Sequence, residues 1–168
     1  MSRTLYLVLS GASAPEGTAG LVRAFQGQRR RVTVLSTPTG MRFHDQERLE
    51  ELTGEPVRVD FRMPGTGRSL PPADAVLACP LTFDSVNKFA QGIADNFAVS
   101  LLCEMVGYRV PTVVVPHCKP QLASHPAFAR SLETLRALEA VTVLYDPDAP
   151  YERRLPTWQH VLDTVNSL

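Results

Sequence analysis

The chain has no surplus of either charge: 17 Lys and Arg stand against 17 Asp and Glu in 168 residues. A broad electrostatic pull toward nucleic acid or an anionic membrane is therefore not expected. No apolar run is long enough to span a bilayer. Residues 5–9 are too short, and too soon followed by loop residues, for a secretion signal. Only three cysteines are present, Cys79, Cys103 and Cys118. They show no metal-ligand spacing and cannot all pair, which points to a reduced, cytoplasmic protein without a metal site. The spacing GxGxxG is missing, so a standard nicotinamide site is not supported. There is no internal repeat, low-complexity tract or domain boundary, and the length suits one domain over residues 1–168 with a sizeable core. The basic run Arg29-Arg30-Arg31 reads as a solvated turn rather than a phosphate site.

What is present is an alternation of short apolar runs and helical patterns. Strands are expected over residues 4–9, 31–35, 56–59, 75–79, 111–115 and 141–144. Pro80 ends the central one. Helices are expected over 15–28, with Pro15 in its first turn and Leu21, Val22 and Phe25 on one face, then over 41–52, 86–91 and 97–106. Another starts at Pro126, with Phe128, Leu132, Leu135 and Leu138 at helical spacing, and a last one covers 155–168. Asp95 or Asn96 is placed to cap the helix that follows it. Residues 60–72 form a long Gly- and Pro-rich connection, and 146–154 a polar loop. Strand and helix alternate throughout, so the expected fold is a single-domain α/β, doubly wound parallel sheet: Rossmann-like, flavodoxin-like, with three α/β/α layers.

In such a sheet, ligands bind outside the carboxyl ends of the strands. Four of those ends here carry small, hydroxylic or reactive residues: 10–13, 36–39, 82–85 and 117–119. Each alone would pass as an ordinary turn. Four along one edge point to a ligand site, in which hydroxyls and free N–H groups at helix starts suit an anionic or heteroaromatic ligand.

The most specific stretch is Pro80-Leu81-Thr82-Phe83-Asp84-Ser85, followed by Lys88-Phe89-Ala90-Gln91-Gly92-Ile93-Ala94-Asp95-Asn96-Phe97. It resembles the P-A-S/T-A-N-T and K-x-x-x-G-x-x-D-N-L blocks of the flavin-dependent cysteine decarboxylases. These include phosphopantothenoylcysteine decarboxylase and the epidermin-type lantibiotic decarboxylases. The resemblance runs from residue 5 to about residue 144. It implies FMN as cofactor, with FAD as the other flavin to consider. Gly11, Ala12 and Ser13 match the family's turn at the flavin, Ser36 and Thr37 the hydroxyls that hold the phosphate, and Phe43 the aromatic after them. Thr82, Phe83 and Ser85 would lie at the ring system. His117, Cys118 and Lys119 stand at the family's P-x-M-N substrate clamp. The family assembles as trimers or dodecamers built from trimers, and acts on a small molecule or a peptide with a C-terminal cysteine.

Several catalytic positions depart from the family pattern. Thr66-Gly67-Arg68 occupies the region of the family's catalytic His, Asp84 replaces its central Asn, and Cys118-Lys119 replace its Met and Asn. No counterpart of the Gly- and Cys-containing lid follows Leu144. His117 is a candidate replacement base, against a plain turn residue. Cys118 is a candidate thiol nucleophile if Lys119 lowers its pKa, against an inert buried thiol. Asp84 is a candidate partner for the flavin or a substrate amine, against a helix N-cap. Cys79, Cys103 and Trp158 read as packing, and His44 and His125 as surface or helix-start residues. The first reading is therefore a flavoprotein with altered catalytic positions, a divergent oxidative decarboxylase of a cysteine-like thiol. A non-catalytic flavin binder or regulatory subunit is the second reading. A flavin prenyltransferase is the third, resting on Ser10-Gly11-Ala12-Ser13 and lacking the family's arginines where Ser100 and His117-Cys118 stand.

Overall fold

A computed structural model describes residues 2–168. Five parallel strands form one sheet in the order β2-β1-β3-β4-β5. They are β1 (Thr4–Leu9), β2 (Arg31–Ser36), β3 (Ala75–Leu81), β4 (Thr112–Pro116) and β5 (Val141–Val143). The helices are α1 (Thr18–Gly27), α2 (Gln46–Thr53), α3 (Phe83–Gln91), α4 (Phe97–Gly107), α5 (Pro120–Ala123), α6 (Pro126–Arg136) and α7 (Trp158–Asn166). The expected doubly wound architecture is therefore the observed one.

The unbroken burial of β1, β3 and β4 follows from helices on both faces. Leu5, Leu7 and Leu9 enter one core with Phe25 of α1, Leu49 of α2 and Trp158 and Val161 of α7. Tyr6 and Val8, one residue out of phase, enter the other core with Phe89, Leu102, Phe128 and Leu132. Trp158 is packing, as expected: its Nε1 donates to the Gly17 carbonyl at 2.9 Å.

Several boundaries differ from the sequence expectation, each for a local reason. β3 runs through Pro80 to Leu81 rather than stopping before the proline. A prolyl residue lacks only the donor, and the ladder does not need one here: the Ser10 hydroxyl donates to the Pro80 carbonyl, and the His117 N–H to the Leu81 carbonyl. Residues 56–59 make a single bridge, Arg58 to Leu35, rather than a strand. The helix expected over 41–52 is a 3₁₀ turn, Thr39–Arg42, followed by α2, because the Asp45 carboxylate accepts from Arg48 N and caps a fresh start. α1 begins at Thr18, after Pro15. α5 was not expected at all. Asn96, by contrast, caps α4 by accepting from Val99 N, and Pro126 opens α6.

Candidate functional site

Between β1 and β3 the chain changes direction: it leaves β1 for the outer strand β2, then returns to the other side of β1. At such a switch point the loops after neighbouring strands splay apart and leave a crevice. A cleft of about 940 Å³ opens there. Its walls come from the loops after β1, β2, β3 and β4: Gly11 to Ser13, Thr37 to Thr39, Thr82 to Ser85, and His117 to Lys119. Its volume lies in the range of small-molecule and cofactor sites.

One buried side chain holds two of these loops together. Ser10 is fully buried; its hydroxyl donates to Pro80 O and accepts from Thr82 N, both at 2.9 Å. The carbonyl of Ser10 pairs with His44 Nε2 at 2.9 Å. Burial and this backbone contact act in opposite directions on His44, and burial prevails, moving its pKa below the ordinary value. Thr82 caps α3, its hydroxyl oxygen accepting from Ser85 N at 3.3 Å. This capped first turn of α3, Thr82 to Ser85, lines the cleft.

Close approach explains two glycines. A Cβ on Gly11 would lie 2.8 Å from Thr39 Cγ2, and one on Gly40 would lie 2.3 Å from Ser36 Oγ and 3.1 Å from Ser10 Cα. The loops after β1 and β2 are packed against each other through these positions.

The candidate residues divide accordingly. Gly11, Ala12, Ser13, Thr37, Phe43, Thr82, Phe83, Asp84, Ser85, His117, Cys118 and Lys119 all line the cleft. Ser36 does not. It is fully buried beneath Gly40, and its hydroxyl donates to the Thr37 carbonyl, so a direct contact with a ligand phosphate is not available to it. Asp84 does not cap α3, since Thr82 does; it is exposed and pairs with Lys88 Nζ at 3.1 Å. Lys88 also holds Asp95 at 2.9 Å, which raises its own pKa and lowers that of Asp95.

His117 lies against Tyr151, with centroids 5.3 Å apart and rings 11° from parallel. Burial, and then the positive charge of Arg154, push its pKa down, so the ring is neutral at pH 7. Its Nδ1 is enclosed without a partner. Burial pushes the Cys118 thiol up, which outweighs the opposite pull of Arg154 and keeps the thiol protonated. The nucleophile reading of Cys118 through Lys119 gains no support from this; Arg154, not Lys119, is the cation that acts on it. Cys79 is buried in the core, as expected, and its thiol is raised by burial.

Sequence reasoning placed Ser10 in the site's first loop but not as the buried tie between two loops, and it did not assign Lys88, Asp95, Leu122 or Tyr151 to the site. Lys88 was recoverable, lying one helical turn from Asp84. Tyr151 comes from the loop before α7, and no local pattern signals its return to the cleft. Among the described residues no group of His, Cys, Asp or Glu side chains forms a metal site, and no helix is long and apolar enough to cross a membrane.

Comparisons with known proteins place this geometry. A bifunctional coenzyme A biosynthesis protein, CoaBC of Mycobacterium bovis, is 30% identical over 142 residues, covering 80% of this chain and 32% of its own. A cysteine/cysteine sulfinic acid decarboxylase from an unknown prokaryotic organism is 33% identical over 95 residues, 53% of this chain and 26% of its own. The chain thus spans about a third of the length of the first of these relatives and less of the second. Among solved structures, the FMN-dependent cysteine decarboxylase TvaF from thioviridamide biosynthesis superposes with a TM-score of 0.78 at 22% identity, over 99% of this chain and 98% of that one. A variant of PPC decarboxylase complexed with pantothenoylaminoethenethiol gives 0.78 at 18% identity, over 99% and 98%. These two likenesses establish the shared fold. The sequence profile of the Flavoprotein family matches residues 1–168, and the chain belongs to that family.

Proposed function

We propose that the cleft binds FMN and that the chain is a divergent oxidative decarboxylase of a cysteine-like thiol. One observation carries this reading: loops after four strands converge on a single cleft whose lining combines hydroxyls with aromatic and apolar groups. The fit is chemical. Backbone N–H groups of the turn at Gly11 to Ser13 and the hydroxyls of Ser13 and Thr37 suit a phosphate, and Phe43, Phe83 and Leu122 suit a heteroaromatic ring. Thr37, which lines the cleft, is the β2-loop hydroxyl proposed for it in place of Ser36, which does not. FAD is the other flavin to be tested.

Bound FMN would supply the two-electron acceptor that turns a substrate CH2–SH into a thioaldehyde. The side chains would orient the substrate and handle its protons. Neutral His117 is the base facing the cleft; with Nδ1 enclosed, Nε2 is the nitrogen for proton exchange. Exposed Lys119 holds the carboxylate of a C-terminal cysteine, a small molecule's or a peptide's. Cys118 stays protonated and acts as a wall. Asp84, tethered by Lys88, sits where an amine of the substrate would enter. Trimers, or larger assemblies of them, are proposed on the family pattern, and light scattering reports the mass.

The second reading is flavin binding without decarboxylation, and it is favoured by the Tyr151 ring lying flat on His117. Mass spectrometry of a C-terminal cysteine peptide mixed with the yellow protein separates the two. Loss of CO2 together with two hydrogens supports the enzyme, and an unchanged peptide beside a retained flavin supports the binder. A colourless protein that does not take up FMN or FAD overturns both.

A further inference from the structure

At the opposite, amino-terminal edge of the sheet lies a second cleft, of about 530 Å³, lined by Arg3, Gln28, Arg29, Arg30 and Asn166. Arg3 precedes β1, Arg29 and Arg30 precede β2, and Asn166 ends α7. Three guanidiniums thus share one concavity, so Arg29 and Arg30, read from the sequence as part of a solvated turn, instead line a cleft with Arg3. None of the three makes an ion pair among the described residues; the neighbouring Arg31 pairs with Glu55 instead. The Asp74 carboxylate acts on Arg30 from a distance, while its own oxygen accepts from Thr4 N. Asn166 Oδ1 accepts from Arg30 Nη2 at 3.3 Å, and Asn166 Nδ2 donates to Gln28 Oε1 at 3.1 Å, so neutral amides lie beside the guanidiniums.

Arg29 is placed there at a conformational cost. It has φ 61° and sits just beyond the end of α1, where Arg30 N reaches back to Phe25 O and Arg29 N to Gln26 O. That arrangement favours glycine at the left-handed position, and a side chain with Cβ costs about 1 kcal/mol there. The same backbone hydrogen bonds already satisfy the last carbonyls of α1, so the guanidinium is not needed to cap them. The observation is a concentration of fork-shaped cations in a cleft whose lining holds no carboxylate, which suits oxyanions that accept paired hydrogen bonds.

We infer that this second cleft binds a small, multiply charged oxyanion of the phosphate or pyrophosphate class, at a site separate from the flavin cleft. Arg3, Arg29 and Arg30 supply the charge, and Gln28 and Asn166 supply neutral polar groups beside them. The inference does not depend on the reading of the other edge.

The test uses pyrophosphate as the probe, in isothermal titration at constant ionic strength set with sodium chloride. The chain is expected to bind it saturably. The double variant Arg29→Gly with Arg30→Gln is expected to bind at least about tenfold more weakly, since two charge-assisted contacts are lost. Arg109→Gly is the control. Arg109 holds the same position beyond α4, with φ 56°, and lies outside the cleft, so its removal relieves the same backbone cost without touching the site. Unchanged affinity in Arg109→Gly with the loss in the double variant supports the proposal. No binding by the wild type, or equal affinity in the double variant, overturns it.

Discussion

Strands β1 to β4 finish in Leu9, Ser36, Leu81 and Pro116, side by side, and they begin behind Arg3, Arg30, Asp74 and Pro111. The finishing edge is built by short-range packing of small residues: a buried hydroxyl ties two loops, and two glycines let a third approach. The starting edge is built by long charged side chains on short turns, two of them in backbone conformations suited to glycine. One edge is thus specified by shape and the other by charge. Substitutions should separate them: added atoms should harm the finishing edge, while removed ones should be tolerated at the starting edge.

The largest effect is expected at Gly40. Gly40→Ala puts a methyl 2.3 Å from Ser36 Oγ and 3.1 Å from the Ser10 backbone, and should lower stability by about 2–3 kcal/mol in urea unfolding. A neutral result would mean that the two loops are not packed as described. Ser10→Ala follows, at about 2 kcal/mol, because it leaves Pro80 O and Thr82 N without a partner in a buried place. Amide exchange should rise first around Thr82 in that variant, and exchange confined to other regions would remove Ser10 from its role as the tie.

Acid should act next, and on the finishing edge. His44 and His117 both have pKa values held below the ordinary one of about 6.5, mainly by burial. The unfolded chain therefore binds more protons in this range, and stability rises with pH. Their contribution is complete above about pH 6.5 and is lost as pH falls from there toward the folded-state values. Melting temperature should drop between pH 7 and pH 5, and the His44→Gln, His117→Gln double variant should flatten that slope. A wild-type melting temperature that holds or rises on acidification contradicts this. The smallest effect is expected at the starting edge, where Arg29→Gly should leave stability unchanged or raise it by up to about 1 kcal/mol. A clear loss there would show that the arginine is structural.

The same contrast explains what the sequence disclosed. Apolar runs revealed the five strands, because strands covered by helices on both faces must be nearly all apolar, but they also suggested a sixth over 56–59, where only the Arg58–Leu35 bridge forms. Strand-end hydroxyls marked the cleft, since their chemistry is local. Which of two adjacent hydroxyls faces a ligand was not local. Both side-chain oxygens lie close to Gly40, yet only Thr37 lines the cleft, a difference set by how the loops after β1 and β2 pack rather than by local sequence. The role of Pro80 was hidden for a like reason: its carbonyl is answered by Ser10, 70 residues away. Tyr151 and Arg154 reach His117 and Cys118 from a polar loop whose composition signals a turn and nothing more. The grouping of Arg3 with Arg29 and Arg30 likewise requires the parallel pairing of β1 with β2.

The central claim is that loops from neighbouring strands make one flavin cleft, and titration of the purified chain with FMN, followed by quenching of flavin fluorescence, tests it most directly. Saturable quenching by the wild type is predicted, with at least about tenfold weaker binding when Thr37→Ala and Thr82→Ala are combined. No quenching with FMN or FAD, or equal affinity in that variant, would contradict it.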